Sequence, residues 1–189
     1  MTIDKYTQNN NFLKLGSECY IDLDPELISS SHPTNNDGAY WQHFDYANIF
    51  YGWNLYKNFK NECLEILTHL EQLQKNLALS ANVDNRLLEL FLNHKIDPAN
   101  GLGLLKIVPG HIVPIHTDNR KISINIGLKN TNGFRTYFNN SIEDFWNNPD
   151  YYDMEVGNVY MLNTRVYHTV MAIKQNTEPG YVVSYNMIN

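Results

Sequence analysis

Cysteine is scarce in this chain. The two it has, Cys19 and Cys63, stand far apart, and neither belongs to a CxxC pair. That argues against a disulfide framework and points to a reducing, cytoplasmic setting. Long apolar runs are missing too. None approaches the roughly 20 residues that span a bilayer, and Met1 to Phe12 lacks the apolar core of a signal peptide. Basic charge is short: 14 lysines and arginines stand against 20 carboxylates, for a net charge of −6 and a pI near 5.6. Such a balance disfavours nucleic-acid binding, which needs a basic surface to displace counterions, though it permits a small basic pocket. No low-complexity tract or internal repeat is visible.

The composition that remains is globular, 43% hydrophobic and 13% aromatic, enough to bury a sizeable core. The length suits one domain, 1–189. Its first hundred residues read as helix-rich, and residues 101–189 read as the barrel core. Cys19 to Leu23 reads as an early strand, and Pro33 to Tyr40 as loop. Trp41 to Trp53 is unusually aromatic and suits core packing better than a lid. Tyr56, Phe59, Cys63, Ile66, Leu67, Leu70 and Leu73 recur at three- and four-residue steps, which predicts an amphipathic helix. A second helix is expected from about Asn85 to His94, with Asp84 as its cap.

Beyond Pro98-Ala99-Asn100-Gly101 the pattern turns to strands. Leu102 to Val108 stops at the Pro109-Gly110 turn. Lys121 to Leu128 alternates strictly, with isoleucines on one face and Lys121, Ser123 and Asn125 on the other. Asn132-Gly133 is a hairpin signal, followed by a strand over Phe134 to Phe138. Ser141 to Asp144 resembles a capping box for a short helix through Trp146. Asn158 to Leu162, His168 to Ile173 and Tyr181 to Met187 complete the strands. Many short strands with turns between them suggest an antiparallel sandwich or barrel.

The residues with chemistry are His116-Thr117-Asp118 and, downstream, His168. On an extended segment, residues i and i+2 point to the same side, so His116 and Asp118 can chelate one ion. Pro114 stiffens the approach. His168 opens a strand after a polar turn, where a ligand at a barrel mouth would sit. Two imidazoles and one carboxylate suit iron(II) or a similar ion, and three ligands rather than four leave positions for reactants. His111, directly after a Pro-Gly turn, reads as a turn residue.

The stretch Leu105 to Asp118, LKIVPGHIVPIHTD, resembles the strand–PG–turn–HxD unit of the iron(II)/2-oxoglutarate-dependent oxygenases. Arg120 to Leu128, RKISINIGL, looks like the strand after that motif. Glu155 to Val170 resembles the unit carrying the distal histidine. The closest likeness is to the aspartyl/asparaginyl β-hydroxylase and small prolyl-hydroxylase-like branch, and it covers roughly Leu102 to Met187. It implies an α+β, mainly β fold: a double-stranded β-helix, or jelly-roll, cupin-like barrel, supported by helices from the N-terminal half. It implies that His116, Asp118 and His168 bind iron. It also implies 2-oxoglutarate and O₂ as co-substrates, with ascorbate as a possible reductant. Asn125, two residues before Gly127-Leu128, is the position that approaches the co-substrate's metal-bound carboxylate in that branch. Satisfying neighbouring backbone groups is the alternative role for it, of equal weight.

One departure matters. The family anchors the far carboxylate of 2-oxoglutarate with Arg or Lys on the strand after the second histidine, and Tyr181 to Met187 contains neither. A dicarboxylate buried without a positive partner carries a large desolvation cost. Arg120 and Arg165 flank the ligands and offer bidentate recognition; Lys106, Lys121 and Lys129 are further candidates. Three functions follow. The first is a hydroxylase acting on an amino acid, or on a peptidyl Asp, Asn or Pro side chain. The second is a cupin-like metalloprotein with chemistry that does not use 2-oxoglutarate, and the third is a non-catalytic jelly-roll binding module. The expected partner is a small molecule or peptide, not a nucleic acid or a membrane.

Overall fold

Alternation in the strands, not helix content, decides the architecture. The computed structural model describes residues 11–25, 41–44, 49–52, 59–80, 85–97, 101–110, 112–118, 122–173 and 177–187. The strands are β1 (Phe12–Gly16), β2 (Trp41–Phe44), β3 (Ile49–Gly52), β4 (Leu102–Ile107), β5 (Ile122–Lys129), β6 (Phe134–Asn139), β7 (Asp150–Met154), β8 (Val159–Leu162), β9 (Tyr167–Ala172) and β10 (Gly180–Met187). The helices are α1 (Lys60–Ser80) and α2 (Arg86–Asn93). A seven-stranded antiparallel sheet runs β1-β8-β5-β10-β4-β3-β2 and faces a three-stranded sheet, β7-β6-β9. The fold is a jelly-roll double-stranded β-helix, mainly β, with two helices among the described residues.

In the large sheet β1, β4, β5, β8 and β10 are buried on both faces, for two different reasons. In β5, Ile122, Ile124 and Ile126 join Leu13, Leu15, Met161, Val183 and Tyr185 in a core under the helices, which contribute Ile66, Leu70, Leu88 and Phe91. The alternate residues face the small sheet. There Phe12, Ile107, Phe134, Phe138, Tyr152, Tyr160, Leu162 and Val182 form a second core inside the barrel. A period of two therefore sorts helix-facing from barrel-facing side chains. Gly127 is required on this interior face, because a Cβ there would lie 2.2 Å from the Glu155 carbonyl oxygen.

Several expectations need correction. Cys19 to Leu23 is not a strand; the first strand is Phe12–Gly16, whose Phe12 and Leu13 both face cores. The Trp41 to Trp53 stretch contributes the β2–β3 hairpin at the edge of the large sheet. The Asn132-Gly133 turn does not close a hairpin: β5 pairs with β8 and β10, β6 with β7 and β9, so the turn is a corner between sheets. Ser141 to Trp146 forms turns rather than a helix, although Ser141 Oγ does accept from the Asp144 N–H at 3.2 Å. The cap of α2 is Asn85, whose Oδ1 accepts from the Leu87 and Leu88 N–H groups at 2.9 and 3.2 Å. The strand β7 has no counterpart in the sequence reading. Pro33 to Tyr40, Tyr56 and Asp84 lie outside the described residues. No described helix is long and apolar enough to cross a membrane.

Candidate metal centre

Residues 112–118 run along the free edge of β9. Ile112 bridges Met171, and the Val113 N–H donates to the Val170 carbonyl at 2.9 Å. The Thr169 hydroxyl donates to the Val113 carbonyl. His116 and His168 form an antiparallel bridge, exchanging N–H···O bonds of 3.1 and 2.9 Å. The Asp118 N–H donates to the Thr164 carbonyl at 2.8 Å, which holds the i+2 residue in line. Through these backbone bonds the short HxD segment, with Pro114 before it, is pinned to the strand that carries the distal histidine.

The side chains converge accordingly. One ligand atom each from His116, Asp118 and His168 lies within 4.8 Å of the others. His116 Nε2 is 3.8 Å from Asp118 Oδ1, and His168 Nε2 is 4.0 Å from Asp118 Oδ2. These separations exceed hydrogen bonds. Ligands about 2.1 Å from one ion and at right angles are roughly 3 Å apart, so an ion would draw this set together by about an ångström. The tautomers are set as well: His116 Nδ1 lies 2.7 Å from the Pro114 carbonyl and His168 Nδ1 lies 3.0 Å from that of Val166. A carbonyl only accepts, so both Nδ1 atoms carry the proton and both Nε2 lone pairs face Asp118. His168 is buried, with Phe138 stacked 6.1 Å from it, while the His116 side chain is 40% exposed. The cluster thus has a walled side and a side open to solvent. The residues fit a divalent ion of the kind held by imidazole and carboxylate.

Behind the cluster the barrel is polar. The pairing puts Tyr160, Asn125, Ser184 and Gly103 on one row across the large sheet. Nearer the mouth come Leu162, Ser123 and Asn186. Ser123 Oγ is 2.8 Å from Ser184 Oγ and 3.3 Å from both Asn125 Oδ1 and Asn186 Oδ1. Asn186 Nδ2 donates to the Gly101 carbonyl at 2.9 Å. Opposite, Thr136 pairs with Tyr152 and Val170. The Tyr152 ring stacks on Tyr160 at 4.0 Å, and its buried hydroxyl lies beside Thr136 and Asn125. Burial pushes the Tyr152 hydroxyl well above the ordinary phenol range, so it stays a neutral donor. Burial likewise raises Tyr160 to about 12, with Glu155 adding to the effect.

The structure places the sequence candidates as follows. His116, Asp118 and His168 come together. Asn125 is half-buried on the barrel-facing side of β5. Arg165 is exposed on the turn before β9. Arg120, Lys121 and His111 lie outside the described residues. Lys106 is on the helix-facing side of β4, its ammonium 5.9 Å from the Tyr181 ring centroid, and Lys129 sits at the end of β5 remote from the cluster. Arg135, on β6, is turned outward in a two-pronged ion pair with Asp153 at 2.6 and 3.0 Å. Among described residues, Lys14 is the cation on the polar row, 5.9 Å from the Tyr160 ring centroid. Sequence reasoning missed Tyr152 and Thr136. The alternation of Tyr152 and Met154 against Tyr151 and Asp153 is the signal that marks the inward face of β7.

The fold and the geometry together define a double-stranded β-helix with an open His-Asp-His cluster at its mouth. Solved structures share the fold. The chain is similar to a Pseudomonas putida prolyl-4-hydroxylase, with a TM-score of 0.54 at 13% identity, covering 96% of this chain and 94% of that one. It is similar to AviO1 from Streptomyces viridochromogenes Tue57, with a TM-score of 0.53 at 14% identity over 98% and 96% of the two chains. It is also similar to YcfD, a ribosomal oxygenase from Escherichia coli, with a TM-score of 0.53 at 14% identity, covering 94% of this chain and 47% of that one. No family model matches the sequence, and no curated protein does. The likeness is one of fold, shared with oxygenases, and at this identity it transfers no substrate.

Proposed function

We propose that this chain is an iron(II)- and 2-oxoglutarate-dependent dioxygenase. Its substrate in this reading is a free amino acid, or an Asp, Asn or Pro side chain in a peptide, and its setting is cytoplasmic. One observation carries the proposal. Both histidines offer Nε2 towards Asp118 because both Nδ1 atoms are engaged by backbone carbonyls. A structural zinc site would be closed by a fourth ligand; among the described residues three converge, and the His116 side faces solvent.

Iron held by His116, Asp118 and His168 would supply activation of O₂. The chain's own residues supply the rest. Phe138 stacks on His168 on the buried side, so an ion would be reached from the exposed His116 side. Ser123 and Asn125 present polar groups behind the ion for the chelating oxo acid. The stoichiometry is one O₂ and one 2-oxoglutarate consumed, with one oxygen atom ending in a new substrate hydroxyl and the other in succinate, and CO₂ released. Ascorbate would keep the metal reduced. The test is turnover: purified protein with iron(II), ascorbate and 2-oxoglutarate should yield succinate. Neither binding nor turnover of 2-oxoglutarate, with candidate substrates present, would defeat the proposal.

A second reading has one observation in its favour. The barrel-facing residues of β10, Val182, Ser184 and Asn186, bring no cation. A cupin-like metalloprotein using a different co-substrate would show metal affinity without 2-oxoglutarate affinity.

A further inference from the structure

Trp146 is set out in solvent by a loop built to hold it there. It is 54% exposed, while its neighbour Phe145 is fully buried and fastens the connection between β6 and β7. Asn139 Nδ2 donates to the Asp144 and Phe145 carbonyls at 3.0 and 3.1 Å, and the Asn147 N–H donates to the Asp144 carbonyl at 2.8 Å. The indole does not stand alone. Its ring lies 5.5 Å from that of Tyr137, and the Tyr137 ring lies 5.9 Å from that of Tyr151, itself 50% exposed. Tyr137 and Tyr151 pair across β6 and β7 on the outer face of the small sheet, since Phe138 and Tyr152 point into the barrel. Both helices pack against the large sheet, so they leave this face open. A contiguous exposed aromatic patch on an ordered surface marks a contact site.

Charge decides which partner fits. From Thr136 to Thr164 the chain holds five carboxylates, Glu143, Asp144, Asp150, Asp153 and Glu155, and no lysine or arginine. Glu143 and Asp144 are exposed within three residues of Trp146. The patch therefore repels phosphates and anionic headgroups and attracts a cation. The protein itself shows the mode of contact. Arg135 holds Asp153 through two hydrogen bonds and lays its guanidinium 4.0 Å from the Tyr151 ring centroid. Trp146, the ring type that attracts cations best, has carboxylates beside it and no such guanidinium among the described residues.

We propose that the outer face of the small sheet around Trp146, Tyr137 and Tyr151, with Glu143 and Asp144, docks an arginine-bearing segment of a partner protein. Arginine fits better than lysine, because a flat guanidinium stacks on an indole and takes a carboxylate two-pronged at the same time. The loop is already ordered by its own hydrogen bonds, which limits the entropy lost on binding. The face lies on the opposite side of the small sheet from His168, and the inference is independent of the function proposed above.

The test is fluorescence polarisation on full-length protein without added metal. The probes are labelled Gly-Ser peptides carrying paired arginines, paired lysines or paired glutamates. Wild type should bind the arginine peptide, bind the lysine peptide more weakly and leave the glutamate peptide free. Trp146→Ala should weaken the arginine peptide by about two- to thirtyfold, the range of a cation–π contact. Glu143→Gln, at an exposed position, should weaken it by about two- to fivefold, as loss of a surface charge pair does. That second variant keeps the test decisive should the first loosen the loop. No binding of the arginine peptide by wild type overturns the inference. So does a lysine or glutamate peptide bound as tightly, or an affinity left unchanged by either variant.

Discussion

His116 and His168 each donate a backbone N–H to the other's carbonyl, at 3.1 and 2.9 Å, and their rings lie 4.3 Å apart. The two imidazoles are thus positioned by main-chain pairing, not by loop packing. A two-residue bridge fixes Cα separation and side-chain direction together. The cluster is therefore as rigid as the edge of the small sheet, and changes that loosen that edge should loosen the cluster.

Thr169 is the side chain that holds this edge. It is fully buried, and its hydroxyl donates to the Val113 carbonyl. Thr169→Val removes the donor and leaves a buried carbonyl with one bond fewer. A cost of about 1–3 kcal/mol is expected. Metal affinity should drop about tenfold, as for supports one step removed from a ligand. Thermal unfolding and manganese titration of the variant check both; unchanged affinity would show that the backbone bridge suffices alone.

Gly127 tests the barrel interior. An added Cβ would meet Glu155 backbone at 2.2 and 2.9 Å, and backbone cannot swing aside. Gly127→Ala should lower Tm by about 2–12 °C, from an overpacking cost of about 1–3 kcal/mol. A wild-type Tm would mean that the turn between β7 and β8, which holds Glu155, moves freely.

His94 gives a pH dependence. Its Nε2 is 3.0 Å from the Tyr185 hydroxyl, which also accepts from the Asp97 N–H at 3.0 Å. Burial holds its pKa below the ordinary 6.5, with Asp97 opposing more weakly. The unfolded chain then takes up the proton first, so acid favours unfolding. The contribution is complete above pH 6.5 and declines as pH falls through that value towards the folded pKa. His94→Gln should flatten the loss of stability on acidification relative to wild type. A steeper loss in the variant would contradict the sign.

Much of the barrel was legible because period two is local. KISINIGL shows both faces of β5, and the HxD spacing is a statement about one extended segment. Long-range pairing was not legible. Asn132-Gly133 carries a hairpin signal, yet β5 and β6 part to different sheets, since each finds a better-buried partner elsewhere. β7, DYYDM, is a polar edge strand whose identity depends on pairing with β6. The alternation in β7 marks Tyr152 as facing inward, but no motif ties it to the metal ligands, since its place beside them is set by another strand's register. The ligands were readable because the chemistry needs them close in sequence or at a strand start.

The most direct measurement is manganese(II) titration of wild type and of Asp118→Ala and His168→Ala by calorimetry, followed by 2-oxoglutarate. One ion per wild-type chain is predicted, with 2-oxoglutarate bound only after the metal. Both variants should lose metal affinity by at least about tenfold and lose 2-oxoglutarate binding with it. Full manganese affinity in either variant would contradict the His-Asp-His centre on which the account depends.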